Sequence, residues 1–179
     1  GFRPIHSTSF QQELFERIKN GKTKYDFSPF DIYQHVPKKN KRAFLEIQES
    51  DERLALNKDL PFIMKKAEKE ILIFSGDLSW SNLIVNKEPI LNLFEKVAKK
   101  GVMIKILARV DISSASNVRK MLSLNQKLRR NPIEIRHREQ PLRAIVIDSN
   151  FCRFKEARPE ILKNKKRLFV FYEIFDEGW

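Results

Sequence analysis

The segment that most limits what this chain can fold into runs from Ile71 to Leu107. Ile71-Leu-Ile-Phe74 is a short continuous apolar run, the pattern of a strand covered on both faces. Asn86 is then expected to cap a helix in which Ile90, Leu91, Phe94, Val97 and Ala98 form one stripe. Lys99 and Lys100 suit the negative end of that helix's dipole, and Gly101 supplies a left-handed stop. Val102 to Leu107 reads as a second strand, parallel to the first if the crossover takes its usual right-handed course. This strand, helix, strand unit puts the chain in the α/β class.

Around that unit the pattern is uneven. Residues 9 to 20 carry Phe10, Leu14, Phe15 and Ile18 at helical spacing, with Ser9 as cap and Asn20-Gly21 as stop. From Lys22 to Lys41, Pro29, Pro37 and scattered rings (Tyr25, Phe27, Phe30, Tyr33) read as a loop, its rings either anchoring it or stacking on bases. Residues 41 to 58 look helical through Phe44, Leu45, Ile47, Leu54 and Leu56, and Pro61 begins a further helix. Residues 114 to 130 form another, with Val118, Met121, Leu122 and Leu128 inward, and Pro132 to Arg136 a third strand. Arg143 to Ile147 and Asn150 to Phe154 pair as a hairpin through Asp148-Ser149. Leu168, Phe169, Phe171, Tyr172, Phe175 and Trp179 are expected to lay a last helix against the sheet.

At 179 residues the chain is long enough for a sizeable core, and no apolar run approaches the ~20 residues of a membrane span. It starts on Gly rather than Met and lacks a signal-peptide pattern, so it reads as a soluble protein that is either a fragment of a longer chain with a domain upstream or carries a tag remnant. One cysteine, Cys152, can form no disulfide within the chain, which points to the cytoplasm, and it reads as a small core residue. His6, His35 and His137 show no metal-ligand spacing, so neither metal nor cofactor is expected. The net charge is +12, with eight Lys/Arg against two acids between Arg119 and Arg143. Two readings stand side by side: a surface that binds nucleic acid or phosphate through counterion release, and the solvated charge of a thermophile protein.

Pro141-Leu-Arg-Ala-Ile-Val-Ile-Asp148-Ser-Asn-Phe151 is an apolar strand with a basic residue near its start and a carboxylate at its end. It resembles the signature of the phospholipase D superfamily, His-x-Lys-x4-Asp, with Pro141 at the histidine position, Arg143 at the lysine position and Asp148 retained. The resemblance implies strand, helix, strand at the start and an aromatic helix ending in Trp at the close. It spans residues 62 to 179 as a mixed sheet flanked by helices, with residues 1 to 61 a helical and loop extension. Within the superfamily the chain is similar to the effector domains of archaeal transcriptional regulators. Active members attack phosphorus through that histidine and pair two half-sites across a dimer. The resemblance therefore implies a homodimer in which Arg143 approaches its mate, but Pro141 cannot form the phosphohistidine.

In open α/β sheets, ligands bind beyond the carboxyl ends of the parallel strands. The loops after Phe74, Leu107 and Ile135 should therefore converge, bringing Ser75, Gly76, Asp77, Ser79, Trp80 and Ser81, then Arg109 and Asp111, then Arg136, His137 and Arg138 to one edge, with Arg143 beside them if its strand runs antiparallel. Arg109, Arg138 and Arg143 are the anion-site candidates, with Arg136 and Ser75 near them. Trp80 either stacks on a sugar or base or caps the sheet edge, and His137 either replaces the nucleophile or makes ordinary hydrogen bonds. Three functions follow: a non-hydrolytic domain binding nucleic acid or a phosphate-bearing or sugar ligand, a divergent phosphodiesterase using His137 with Asp148, or a pure interaction domain.

Overall fold

The computed structural model describes residues 8–48, 59–161 and 167–179. In chain order the helices are α1 (Thr8–Asn20), α2 (Phe30–Tyr33), α3 (Leu60–Lys65), α4 (Ile90–Lys99) and α5 (Ala115–Leu128). The strands are β1 (Lys41–Gln48), β2 (Glu70–Phe74), β3 (Ile84–Val85), β4 (Glu88–Pro89), β5 (Met103–Ala108), β6 (Ile133–His137), β7 (Ala144–Ile147), β8 (Phe151–Ile161) and β9 (Arg167–Phe175). Two compact units make up the chain: residues 1–52 with 139–179, and residues 53–138. The first pairs its strands antiparallel and the second pairs β2, β5 and β6 parallel, so the fold is α/β with mixed pairing and helices alongside the strands. Among the described residues no helix is long and apolar enough to cross a membrane.

In the first unit β9 lies between β1 and β8. The expected last helix is therefore a strand. Its residues from Phe169 to Ile174 are all buried, and in a segment covered on both faces and apolar but for Glu173 the helical and extended periods look alike. Residues 41 to 48 are likewise a strand, not helical turns, paired along their length with β9. Phe44 stacks on Phe171 with ring centroids 5.2 Å apart, whereas Leu45 and Ile47 are exposed. Leu54 and Leu56, also assigned to that helix, lie outside the described residues, as does His6.

The rings of the 22–41 segment do anchor it. Phe30 and Tyr33 lie against Tyr172 at 6.1 and 4.9 Å, and Phe27 is buried under the Arg17 guanidinium, although Tyr25 is exposed. Ser9 sits inside α1 rather than capping it, and Gly21 ends the helix by donating its N–H to Arg17 O at 3.1 Å. The β7–β8 hairpin turns at Asp148 and Ser149, whose φ values are 51° and 59°, and Asn150 N–H donates to Ile147 O at 2.9 Å; Ile147 pairs with Phe151, so Asn150 belongs to a three-residue loop and not, as expected, to the strand. Cys152 faces Ile174 on β9, and burial pushes its thiol pKa up, out of the reactive range.

The second unit follows the sequence closely. Ile71 pairs with Ile104 and Ile104 with Ile133 across three parallel strands. Helix α4 buries Ile90, Leu93, Phe94, Val97 and Ala98, with Leu93 in place of the expected Leu91. Asn86 does not cap it. With Lys87 it forms a left-handed turn between β3 and β4, and Pro89 occupies the cap position. Gly101, at φ 96°, ends the connection as expected, and Lys100 Nζ donates to the carbonyls of Lys65, the last residue of α3, and Ala67 just past it, at 2.7 and 3.2 Å.

Candidate ligand-binding site

Beyond the carboxyl ends of β2, β5 and β6 the loops are stitched together by backbone. Ser75 N–H donates to Leu107 O at 2.9 Å, Arg109 N–H to Gly76 O at 2.7 Å, and Arg138 N–H to Ala108 O at 2.9 Å. The predicted convergence of Ser75, Arg109, Arg136, His137 and Arg138 is thus present within the second unit. Its chemistry differs from a bare cluster of cations. The Arg109 side chain lies 3.1 Å from Asp111 and 3.9 Å from Asp77, so two carboxylates face one guanidinium. Arg136 is exposed and bonds Glu134 at 2.6 Å.

Both carboxylates are held ionised. For Asp77, burial opposes ionisation, but the Ser79 N–H at 3.0 Å and the Arg109 charge outweigh it and keep the carboxyl below its usual range. Asp111 goes further. The Ser113 hydroxyl at 2.6 Å and the Ser114 N–H at 3.0 Å bring its pKa down to about 2. The ionised form is the one the loop binds, so this tie is fully present above the unfolded aspartate value near ~3.9 and is lost as pH falls towards 2. An NMR carboxyl titration should place Asp111's midpoint at about 2 and raise it in Ser113→Ala. A wild-type midpoint near ~3.9 would contradict the loop geometry.

Trp80 is a core residue here. It is buried, its ring stacks on Phe94 with centroids 5.3 Å apart, and its indole N–H donates to the Ser75 hydroxyl oxygen at 2.9 Å. Both ends of the Ser75–Trp80 pair are therefore occupied by packing. His137 is exposed at the end of β6, and its Nδ1 accepts the Val110 N–H at 2.8 Å. A neutral imidazole that accepts at Nδ1 carries its proton on Nε2.

The signature strand belongs to the first unit. Pro141 is buried, and a Cβ added to Gly21 would meet its Cγ at 2.8 Å, so α1's end closes directly over the ring. Gln140, also buried, accepts the Leu142 N–H through Oε1 at 2.7 Å. Arg143 Nη1 donates to the carbonyls of Gln140 and Leu142 at 2.9 and 2.8 Å, bracing the bend that leads into β7. Asp148 sits at the first position of the hairpin turn, where a short carboxylate side chain tolerates left-handed backbone.

One charged row escaped the sequence. Arg42, Glu173 and Arg153 stand opposite one another on β1, β9 and β8. Arg42 holds one oxygen of Glu173 and Arg153 Nη2 reaches the other at 3.3 Å. Arg153 and Glu173 are each 1% exposed. The available signal was a charge set inside otherwise apolar strands, Phe-Cys-Arg-Phe and Phe-Tyr-Glu-Ile-Phe, where only a partner could make burial tolerable.

No family model matches the chain, and no curated protein does. Among solved structures it is similar to TrmBL2, an archaeal chromatin protein described as showing a novel mode of DNA binding (18% identity, TM-score 0.45, 75% of this chain). That match spans about half, 47%, of the chromatin protein's own length. The chain is also similar to Nuc, a phospholipase D family member from Salmonella typhimurium (14% identity, TM-score 0.47, 75% of this chain and 84% of that one). A third is phosphatidylserine synthase from Haemophilus influenzae (10% identity, TM-score 0.49, 77% of this chain and 35% of that one). Each is a partial likeness of fold, with a TM-score below 0.5.

Proposed function

We propose that this chain is a phospholipase D-like domain that holds a phosphate-bearing polymer, nucleic acid, without cleaving it. The carrying observation is Pro141. Where the superfamily's nucleophile would stand there is a buried hydrocarbon ring packed against Gly21, with no lone pair to offer phosphorus. His137 is a poor substitute, because the one nitrogen lone pair of its neutral ring is taken by the Val110 N–H. Support for a polyanion ligand comes from the net charge of +12 and from a run of 22 residues, 112–133, that contains five Lys/Arg and no acid. The reading extends to a ligand-holding effector domain of a transcriptional regulator, as the signature's likeness implied, with dimerisation bringing two copies of Arg143 together.

The test has two arms. Wild type and His137→Ala are incubated with single-stranded DNA, RNA and bis-p-nitrophenyl phosphate, and neither should turn over any of them above a protein-free blank. Turnover by wild type that disappears in His137→Ala would establish the phosphodiesterase reading instead. In the second arm, log affinity for nucleic acid should fall linearly with log salt. An affinity independent of salt would reject phosphate binding altogether.

A further inference from the structure

Helix α5 presents a solvent face of a kind that no other described helix of the second unit shows. Ser116, Arg119, Lys120, Ser123, Gln126 and Lys127 are all exposed, at offsets of three, four, seven, ten and eleven residues, which is one continuous stripe about 17 Å long. Arg129 and Arg130 are exposed just past its end. The helix contains no acidic residue. Lys127 is paired with Glu95 at 3.0 Å, but among the described residues no carboxylate pairs with Arg119, Lys120, Arg129 or Arg130. Lys120 instead donates to Asn82 Oδ1 at 2.8 Å, and the Arg130 guanidinium bonds the Ala98 carbonyl, so both retain their full charge.

The opposite face fixes this stripe rigidly. Met121 and Leu124 are buried, and the Asn125 amide grips the backbone of β6 twice, its Nδ2 donating to Ile133 O at 2.8 Å and its Oδ1 accepting the Ile133 N–H at 3.0 Å. A helix clamped in this way needs no ordering when a partner arrives, which lowers the entropic cost of binding.

We infer that α5 is the surface through which the domain docks on B-form duplex DNA, an inference that rests on the nucleic-acid reading above. Charge selects a polyanion. The stripe carries no aromatic ring, so it lacks the stacking platform by which single strands are held. A convex helix face with Ser and Gln between its cations matches the major groove of B-form DNA, which admits an α-helix, whereas the deep narrow groove of duplex RNA does not.

Fluorescence anisotropy with a labelled duplex DNA, its single strand and the equivalent RNA duplex, from 50 to 200 mM salt, decides the matter. Four unpaired cations give a slope of about −3.6, an affinity loss of about 150-fold across that range, and Arg119→Ala with Lys120→Ala should reduce the loss to about 12-fold. Duplex DNA should bind best, and Lys39→Ala, which removes a surface cation already paired with Glu177 at 2.6 Å, should behave as wild type. If wild type binds nucleic acid with a steep salt dependence but the double variant does too, or if single strand or RNA is preferred, the α5 assignment falls and the broader reading stands. If wild type binds none of the three, both fall. Matching thermal midpoints for wild type and double variant exclude misfolding as the cause of a loss.

Discussion

Glu173→Leu should destabilise the first unit by about 3–5 kcal/mol, because it takes the Glu173 carboxylate away from a guanidinium, Arg153, that is itself buried. Arg42 cannot compensate, since its side chain is largely exposed and carries the same sign. The pair as a whole is a different matter. Two ions taken out of water recover little beyond their desolvation cost, so a well-packed apolar replacement of both is often neutral. Arg153→Met combined with Glu173→Leu should therefore regain most of the stability lost by the single variant, leaving Arg42 to turn into solvent. Urea denaturation followed by circular dichroism measures both. A loss under ~1 kcal/mol for the single variant would mean that water reaches Arg153 and that the row is an ordinary surface pair.

Phe94→Ala is the largest expected loss in the second unit, again about 3–5 kcal/mol, the range for emptying a buried aromatic site. It also has a local consequence. Trp80 loses the ring it stacks on, and with it the packing that holds the loop after β2 beside Ser75. Tryptophan emission should shift to the red at urea concentrations well below global unfolding, because Trp80 becomes wetted while Trp179, stacked on Phe151 in the first unit, does not. Asn92→Ala, on the exposed side of the same helix, is the control and should change neither quantity. An unshifted emission in Phe94→Ala would show that the loop is held by its backbone bonds to β5 alone.

The candidate site was partly legible. Loop convergence at the carboxyl ends of β2, β5 and β6 follows from parallel pairing and was predicted from the apolar runs alone. What the residue list could not reveal was occupancy. Asp77 and Asp111 share the loops with Arg109, but only the fold shows both carboxylates at its guanidinium; Trp80 stood open between stacking and a structural role until Phe94 was found against its ring; and Asp148, retained from the signature, occupies a left-handed turn. Each is a question of which neighbours arrive in space, and side-chain identity does not encode that.

The sequence by itself determined the second unit and the hairpin. A helix stripe with a glycine stop, short apolar strands on either side and a tight turn are signals whose physical cause lies within a dozen residues. The tertiary structure alone decided β1 and β9. Each is extended because the other is there to complete its hydrogen bonds, and Arg42 meets Glu173 across 131 positions of chain. The apolar run of β9 is covered on both faces and carries no period, and β1 leaves Leu45 and Ile47 exposed, so local pattern distinguished strand from helix in neither, and only the long-range ladder did.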